Sequence, residues 1–379
     1  MKTNKYILYL LSIILLFPLS SCDDDFLEFY PEDKITSANF PQNEDDIELL
    51  LNGVYALLRE NSIYNQGLFG FGVLDGATPN AFNWGNAPIA RAGTGQLNSS
   101  DGSIVDFRWT RSYAIIFRAN YLLQALDQVD MPEEDKSIYR AEARFLRGLA
   151  YSILAEGFGG VPIILTAIST EEARNISRAS KEETWDQVMA DYNMAIENLQ
   201  AEAPDLGRAT KVAALGMKMR ALLYQGKHEE VLQVVNEIDD LNKYGLFPSY
   251  EGLFKLENEN NMEVIFDIQY ISGENSQGSL HDQYCGTGTG SWTRGSRYVP
   301  TDDLVNAYEM IDGSEVDPNN PYQGRDPRLE YTVVVPGAYI LGYRFPNYEY
   351  PGGAFNHPGN RLKHLSARKY RIEPEADLP

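Results

Sequence analysis

The sequence predicts a mostly α-helical protein, a scaffold of repeated helix pairs that carries a large irregular loop region and short β-strands. Apolar residues recur at helical spacing through much of the chain before residue 240. Beyond about residue 242 this periodicity gives way to short apolar runs separated by Gly, Pro and Asn clusters, which are typical of brief strands and loops. With 379 residues and 43% hydrophobic content, the chain can bury one large core or two modest ones.

The chain opens with the three-part layout of an export signal. Lysines at its start precede an apolar run over residues 6–19, and Leu19-Ser20-Ser21 leads directly into Cys22. The run is about 14 residues long, shorter than the roughly 20 that a bilayer-spanning helix needs, so a retained membrane helix is the weaker interpretation. The pattern resembles a bacterial lipoprotein signal. We therefore expect residues 1–21 to be a cleaved signal peptide and Cys22 to carry the acyl lipid, such as palmitate, that tethers the protein to a membrane.

Charge and cysteine content restrict the possible partners and crosslinks. Asp and Glu number 54 against 32 Lys and Arg, which gives a formal net charge of −22 and disfavours nucleic acid as a partner. Once Cys22 is acylated, Cys285 is the only cysteine left, so no internal disulfide can form. Folding must therefore depend on packing.

Three helices are predicted in the N-terminal part. Apolar residues at helical spacing run from Ile47 to Leu58, from Tyr113 to Leu126 and from Ile138 to Leu154, and the last two helices are expected to pack as a hairpin. An irregular segment from about Asn61 to Ser103 is rich in Gly, Asn and aromatic residues, and we expect a large loop region there.

The clearest predicted helix begins at a capping box. Glu183 follows Ser180 by three positions, and the apolar residues from Trp185 to Leu199 then form one stripe. Another helix is predicted over about Thr210 to Gln225, and a short Gly-containing turn leads it into an antiparallel partner. The stretch from Ala221 to Leu232 across that turn resembles the middle of a tetratricopeptide repeat.

Short strands are predicted in the second half of the chain. The candidate strands are Glu263 to Tyr270 and Tyr331 to Val335, which are set apart by Gly, Pro and Asn clusters. A tyrosine-dense stretch from Tyr339 to Tyr350 is interpreted as an ordinary packed loop because prolines and glycines interrupt it.

Five short segments stand in a characteristic order along the chain. They are Phe117-Arg118-Ala119-Asn120-Tyr121, Ala141-Glu142-Ala143-Arg144-Phe145-Leu146-Arg147, Phe158-Gly159-Gly160-Val161-Pro162, Gly207-Arg208-Ala209-Thr210 with Ala213-Ala214, and Arg325-Asp326-Pro327-Arg328. Behind a lipoprotein signal, this series resembles the SusD/RagB family of outer-membrane nutrient-binding lipoproteins. The resemblance implies a SusD-like, tetratricopeptide-like helical scaffold.

The resemblance also implies a division of the chain. Residues 1–21 would be the signal peptide, residues 22–240 a helical region with tetratricopeptide-like repeats and a glycan-binding loop insertion, and residues 241–379 a loop-rich C-terminal region. Members of the family usually continue for roughly another hundred residues, so we expect part of the C-terminal region to be missing.

A function follows from the same resemblance. Such a lipoprotein is not an enzyme. It binds a nutrient glycan, an oligosaccharide or polysaccharide, and delivers it to a SusC-like TonB-dependent transporter on which its helices dock. Acidic residues 23–25 directly after Cys22 resemble the export signal of surface-exposed lipoproteins, so we expect a lipid anchor in the outer membrane and a location facing the cell exterior. The alternatives are a peptide-binding uptake lipoprotein of the same architecture and a glycoside hydrolase.

Two loops carry the groups that a glycan site requires. An aromatic ring can stack on the apolar face of a sugar while nearby amide, carboxylate or guanidinium groups bond its hydroxyls. The candidate glycan-binding residues are Asp75, Asn80, Phe82, Asn83 and Trp84 in the first loop and Tyr284, Trp292 and Arg294 in the second. We expect the two loops to meet. The equally weighted alternative is that Trp84 and Trp292 anchor their loops on the core.

Other prominent side chains are assigned to packing. Trp109 and Trp185 lie within helical patterns and are expected in the core. Arg144 and Arg147 lie one helical turn apart and are expected to form structural ion pairs with residues such as Glu142 or Glu156.

No cofactor or metal is predicted. The four histidines lack an H-E-x-x-H arrangement, and Cys285 has no second cysteine at metal-ligand spacing. Gly286 to Gly290 lacks the G-x-G-x-x-G spacing, and Gly226-Lys227 runs into a histidine where a phosphate loop needs Ser or Thr. A glycosidase would need two carboxylates across a cleft, and 54 acidic residues single out no pair. The sequence leaves calcium binding in the loops open.

Overall fold

Helices predominate in the part of the chain that the structure describes. The computed structural model describes residues 40–59, 63–64, 71–83, 87–98, 101–102, 104–203, 205–270, 298–335, 338–340, 343–344 and 366–367. Its α-helices are α1 Glu44–Ala56, α2 Ala87–Gly93, α3 Ile104–Leu126, α4 Glu133–Phe158, α5 Thr170–Ala173, α6 Lys181–Asn198, α7 Lys211–Tyr224, α8 His228–Asp239, α9 Asp302–Asn306 and α10 Arg328–Thr332. The predicted fold class, mostly helical with short strands, is confirmed.

The strands are short and pair only in twos. They are β1 Ala81–Asn83, β2 Tyr298–Pro300, β3 Val333–Val334, β4 Tyr339–Ile340, β5 Tyr343–Arg344 and β6 Ser366–Ala367. Antiparallel pairs form between β1 and β2, β3 and β6, and β4 and β5. Among the described residues, no sheet has more than two strands, so the fold depends on the helices.

Helix starts follow the predicted capping chemistry. In α6 the Ser180 N–H donates to the Glu183 carboxylate at 2.7 Å, and the Glu183 N–H donates back to the Ser180 hydroxyl at 3.1 Å. The Thr210 hydroxyl accepts from the N–H of Ala213 at 3.0 Å and so caps α7. The predicted helix starts at these two caps are therefore confirmed.

Helices α3, α4, α6, α7 and α8 pack in order, each against its neighbour. The predicted hairpin of α3 and α4 is therefore confirmed, and one continuous apolar core runs from Ile47 in α1 to Ala221 in α7. Gly160, just after α4, marks a close approach between segments, because a Cβ there would lie 2.1 Å from the Ala179 carbonyl oxygen.

The two helical tryptophans differ in burial. Trp185 is only 4% exposed, as predicted. The prediction for Trp109 is wrong, because this side chain is 37% exposed near the start of α3. Its ring packs against Tyr113 and Phe158 with centroid distances of 5.0 and 5.1 Å, so Trp109 borders the core at the end of the helix pair.

A buried polar network joins α3, α4 and α6. Arg147 is 1% exposed and donates from Nε and Nη2 to the Asp191 carboxylate at 2.9 and 2.7 Å. Arg147 Nη1 also donates to Asn120 Oδ1 at 2.7 Å, and Arg144 donates to Asp191 at 3.0 Å. Both arginines form structural ion pairs, as predicted, but the partner is Asp191 rather than Glu142 or Glu156. A fixed helix spacing shows only neighbours on the same helix, and Asp191 lies on another.

The second half of the chain departs from the predicted strands. Glu263 to Tyr270 forms no strand, because a strand requires a hydrogen-bonded neighbour and no such pairing is formed by these residues within the described chain. Tyr331 to Val335 was predicted as a strand, but it begins in α10 and only Val333–Val334 pairs, with β6. The domain boundary after residue 240 stays a prediction.

Candidate functional site

The first candidate loop is a folded unit rather than a free coil. It contains a 3-10 helix over Phe71–Ala77, strand β1 and helix α2, which pack against one another. Between the 3-10 helix and β1, the N–H and hydroxyl of Thr78 donate to the Asp75 carbonyl oxygen at 3.0 and 2.8 Å. The Thr78 hydroxyl then accepts from the Asn80 N–H at 3.2 Å. This turn presents residues 78–80 at the surface.

An ion pair fastens the far end of the loop. The Arg91 guanidinium on α2 is hydrogen-bonded to the buried Asp101 carboxylate, which also accepts from the Asn98 N–H at 2.8 Å. The hydrogen bond from Arg91 lowers the pKa of Asp101 below its ordinary value. Asp101 therefore ties helix α2 to the chain that returns to α3.

A short antiparallel ladder joins the first loop to the segment that follows the second. Phe82 lies opposite Val299, and Asn83 lies opposite Tyr298. One residue further on, the Thr301 N–H donates to the Asn80 carbonyl oxygen at 3.0 Å. Tyr298 comes four positions after Arg294, so the ladder pairs the first loop with the chain that follows the second candidate loop, whose own residues lie outside those described.

The described candidates of the first loop differ in burial. Asp75 and Asn80 are exposed, and Phe82 is half-buried. Asn83 is only 2% exposed, so its amide lies beneath the loop surface. Asp75, Phe82 and Asn83 also take part in further interactions within the structure. Trp84, Tyr284, Trp292 and Arg294 lie outside the described residues, as do Cys22 and the signal peptide.

Sequence reasoning missed Thr301. Its hydroxyl donates to the Pro79 carbonyl oxygen and accepts from the Leu304 N–H at 3.2 Å, so it caps α9 and holds the first loop. The signal was present, because Thr301 precedes two aspartates, Asp302 and Asp303, in the pattern of a helix start.

Two neighbouring clefts open beside the turn before α7. They measure about 410 and 280 Å³ and share the turn at Leu206 to Arg208 and the segment at Phe266 and Asp267. Arg208 stacks over the Tyr55 ring with its Cζ 5.6 Å from the ring centroid, and its Nη1 lies 3.5 Å from the Glu142 carboxylate. The Arg208 guanidinium at the clefts is therefore already paired with the buried Glu142 carboxylate.

Several other polar groups at the clefts are also bonded to the protein itself. The Tyr55 hydroxyl donates to Glu142 at 2.5 Å and accepts from the Ala209 N–H at 2.8 Å. Burial raises the pKa of both Tyr55 and Glu142 above their ordinary values. Lys243 pairs with Glu202 at 3.1 Å. These groups hold α1, α4 and the turn before α7 together, so the clefts are a weaker candidate site than the loops.

Neither a metal site nor a membrane span is found in the part of the chain that the structure describes. Among these residues, no group of three or more His, Cys, Asp or Glu side chains is placed to hold a metal ion. None of the helices described there combines the length and apolar character needed to cross a bilayer.

Family models match two parts of the chain. A SusD-like model described as starch-binding and associating with the outer membrane matches residues 25–223. A second model, of the SusD family, matches residues 262–370. SusD-like protein P25 of Formosa agariphila is 28% identical over 292 residues, which are 74% of this chain and 55% of the relative. The chain spans about half the length of the curated relatives it matches.

Solved structures share the arrangement of helices. A SusD-like carbohydrate-binding protein from Bacteroides fragilis matches with a TM-score of 0.75 at 26% identity, over 88% of this chain and 68% of that chain. Surface glycan-binding protein A from Bacteroides thetaiotaomicron, solved in complex with laminarihexaose, matches with a TM-score of 0.60 at 17% identity, over 71% of this chain and 61% of that chain. The second similarity concerns the fold alone.

Proposed function

Because this chain belongs to the SusD family, we propose that it is a noncatalytic surface lipoprotein that binds a nutrient oligosaccharide or polysaccharide. The bound glycan is delivered to a SusC-like TonB-dependent transporter in the outer membrane. Acylated Cys22 anchors the protein there, with the glycan site facing the cell exterior. The observation that carries the ligand site is the ladder between β1 and β2, which supports a meeting of the two candidate loops.

The site combines stacking surfaces with hydrogen-bonding groups. In this proposal Trp84 and Trp292 stack on sugar rings, with Phe82 and Tyr284 beside them. Asp75, Asn80 and Arg294 bond the sugar hydroxyls, and the exposed positions of Asp75 and Asn80 agree with that role. Asn83 supports the loop from beneath, since its side chain is buried.

Glycan binding is tested with the full chain purified in detergent. We expect retardation in native gels containing laminarin or starch, and weaker binding by Trp84→Ala and Trp292→Ala by about fivefold to tenfold each, because each variant removes one stacking face. Tyr224→Ala is the matched control, since this exposed aromatic lies on α7, outside both loops. Undiminished binding by both tryptophan variants would remove the proposed site.

The same incubation separates the other functions. Release of reducing sugar would favour a glycoside hydrolase, and binding of peptides but no glycan would favour peptide uptake.

Recovery of the chain from solubilised membranes without a large barrel protein would count against the transporter. Retention of Cys22→Ala in the membrane fraction would count against the lipid anchor.

A further inference from the structure

Residues 265–270 form an extended segment whose backbone lacks hydrogen-bond partners. No hydrogen bond joins the N–H and C=O groups of this segment to any other group within the described chain. The segment is nonetheless half-buried, with only Gln269 exposed. Backbone polar groups that are shielded from water are almost always paired, because leaving one unpaired costs the free energy of a lost hydrogen bond. The segment therefore has a backbone that calls for a partner.

The side chains of this segment alternate as those of a β-strand do. Phe266 and Ile268 pack against the main helical core, and the Phe266 ring meets Phe145 edge-to-face at a centroid distance of 5.2 Å. At the alternate positions, the Gln269 amide donates to the Asp267 carboxylate at 2.7 Å, so these two side chains share the other face. The core therefore holds one face of the segment, and the backbone edges remain for pairing.

The two clefts beside the turn before α7 leave room along this segment. Together they are lined on one side by residues 264–269. Large apolar side chains stand exposed around them, since Leu206 is 72% exposed, Met262 51% and Leu246 84%. Leu246 lies next to Met262, because the Gly245 N–H donates to the Met262 carbonyl oxygen at 3.1 Å. Exposed apolar groups beside an unpaired backbone favour a polypeptide as the partner rather than a sugar.

The charges at the larger cleft restrict this partner further. Arg208 and Lys243, its two cations, are paired with carboxylates of the protein itself. Asp205 on the turn and Asp267 on the segment also line this cleft, and neither forms an ion pair within the part of the chain that the structure describes. The charge left unpaired at this cleft is therefore negative and favours basic side chains on the partner.

We infer that residues 265–270 are a strand-addition site for an extended segment of a partner polypeptide in which apolar and basic side chains alternate. The partner backbone supplies the N–H and C=O groups that the segment lacks. Its apolar side chains contact Leu206 and Met262, and its basic side chains pair with Asp205 and Asp267. The site lies apart from the candidate glycan loops and does not rest on the proposed function.

The probe is a short synthetic peptide that alternates valine with lysine and is blocked at both ends. It is added to the full chain, and its binding is measured by calorimetry and by hydrogen exchange. One control peptide carries methyl groups on its backbone nitrogens, which keeps the side chains but removes the donors for pairing. A second control replaces lysine with glutamate. In the protein, Asp267→Asn is compared with Asp239→Asn, which removes an exposed carboxylate at the end of α8.

We expect the amides of residues 265–270 to exchange rapidly in the free chain and at least about tenfold more slowly with saturating peptide. The methylated peptide should bind at least about tenfold more weakly, because several hydrogen bonds are lost, and the glutamate peptide should also bind more weakly. Asp267→Asn should weaken binding by about twofold to fivefold, as loss of a partly exposed ion pair does, whereas Asp239→Asn should not.

Two kinds of result would overturn the inference. Slow exchange of these amides in the free chain would show that the segment is already paired. Absence of binding by the valine–lysine peptide, equal binding by its methylated form, or equal losses in the two aspartate variants would show that no strand is added there.

Discussion

Two buried arginines show how differently the helical bundle and the C-terminal loop region are held together. Arg147 in the bundle donates at 2.7 to 2.9 Å to the side chains of Asp191 and Asn120 on other helices, and more weakly, at 3.4 Å, to the Leu165 carbonyl oxygen. Arg325 in the loop region is 7% exposed and donates to the backbone carbonyl oxygens of Pro321 and Tyr308 at 2.9 and 2.5 Å.

The difference follows from where backbone hydrogen bonds are already made. In a helix the carbonyl groups are occupied, so a buried guanidinium needs a side-chain anion from a neighbour. In irregular chain the carbonyl groups lack regular partners, and one arginine can satisfy several of them. Arg147 therefore joins residues that are distant in sequence, whereas Arg325 joins residues that are close in sequence.

The largest effect is expected from Arg147→Met. This change leaves the buried Asp191 carboxylate with Arg144 alone, whose side chain is partly exposed, and should lower the free energy of unfolding by about 3 to 5 kcal/mol. Urea denaturation measures it. Arg147→Met combined with Asp191→Leu should recover most of the loss, because no buried charge then remains.

Arg140→Met is the control for this prediction. Arg140 pairs with Glu133 and Asp127 at the surface, and its loss should cost less than about 1 kcal/mol. A double variant no more stable than Arg147→Met, or equal costs for Arg147 and Arg140, would contradict the role given to the buried Arg147–Asp191 pair in the bundle.

Arg325→Met should have a smaller and more local effect. It removes two hydrogen bonds to backbone carbonyl groups, at a cost of about 1.5 to 3 kcal/mol. Hydrogen exchange should become faster near the bridge between Met310 and Arg325, including the Ile311 amide that bonds the Gly324 carbonyl. Amides in α4 should keep their rates, and equal acceleration there would show that the two regions unfold together.

The smallest effect concerns a half-buried carboxylate, Asp326. Hydrogen bonds from the Arg328 side chain and N–H lower the pKa of Asp326 from 3.8 to about 2. Because the pKa of Asp326 is lower in the folded protein, its ionised carboxylate stabilises the fold. This contribution is complete above pH 3.8 and is lost as the pH falls towards 2. Arg328→Gln should move this pKa back towards 3.8.

An NMR titration of the Asp326 carboxyl carbon measures the change. Asp312 is the control, since its pKa is lowered by Ser314 and should not respond. A pKa of Asp326 that stays at about 2 in Arg328→Gln would assign the shift to the backbone instead.

The helical bundle could be predicted from the sequence because local rules decide it. The Ser180 and Glu183 capping box and the hairpin of α3 and α4 follow from spacing alone. Spacing could not identify Asp191 as the partner of Arg144 and Arg147, because that pairing depends on which faces of two helices meet.

In the C-terminal loop region, the sequence predicted irregular chain with short strands but not which segments pair with each other. The local pattern predicted a strand at Glu263 to Tyr270, yet these residues form no pairing with another strand within the described chain, and a local pattern cannot show such pairing. Exposed Trp109 shows the same limit, because helical spacing does not tell where a helix reaches the edge of its core. Thr301 shows that a local signal can coincide with a distant contact. The residue is recognisable as a helix start, and its hydroxyl also bonds the Pro79 carbonyl oxygen.

The network of Arg147, Asp191 and Asn120 has a consequence for how this protein can evolve. Asn120 Nδ2 donates to the Ile164 and Thr166 carbonyl oxygens, so each of the three side chains serves more than one partner. A substitution at only one of these positions leaves buried polar groups unpaired and destabilises the protein. We therefore expect the three positions to covary. Asp75 and Asn80 stand at the surface, where single changes are cheap. Under the proposed function, ligand preference can therefore drift in the loops while the scaffold beneath stays the same.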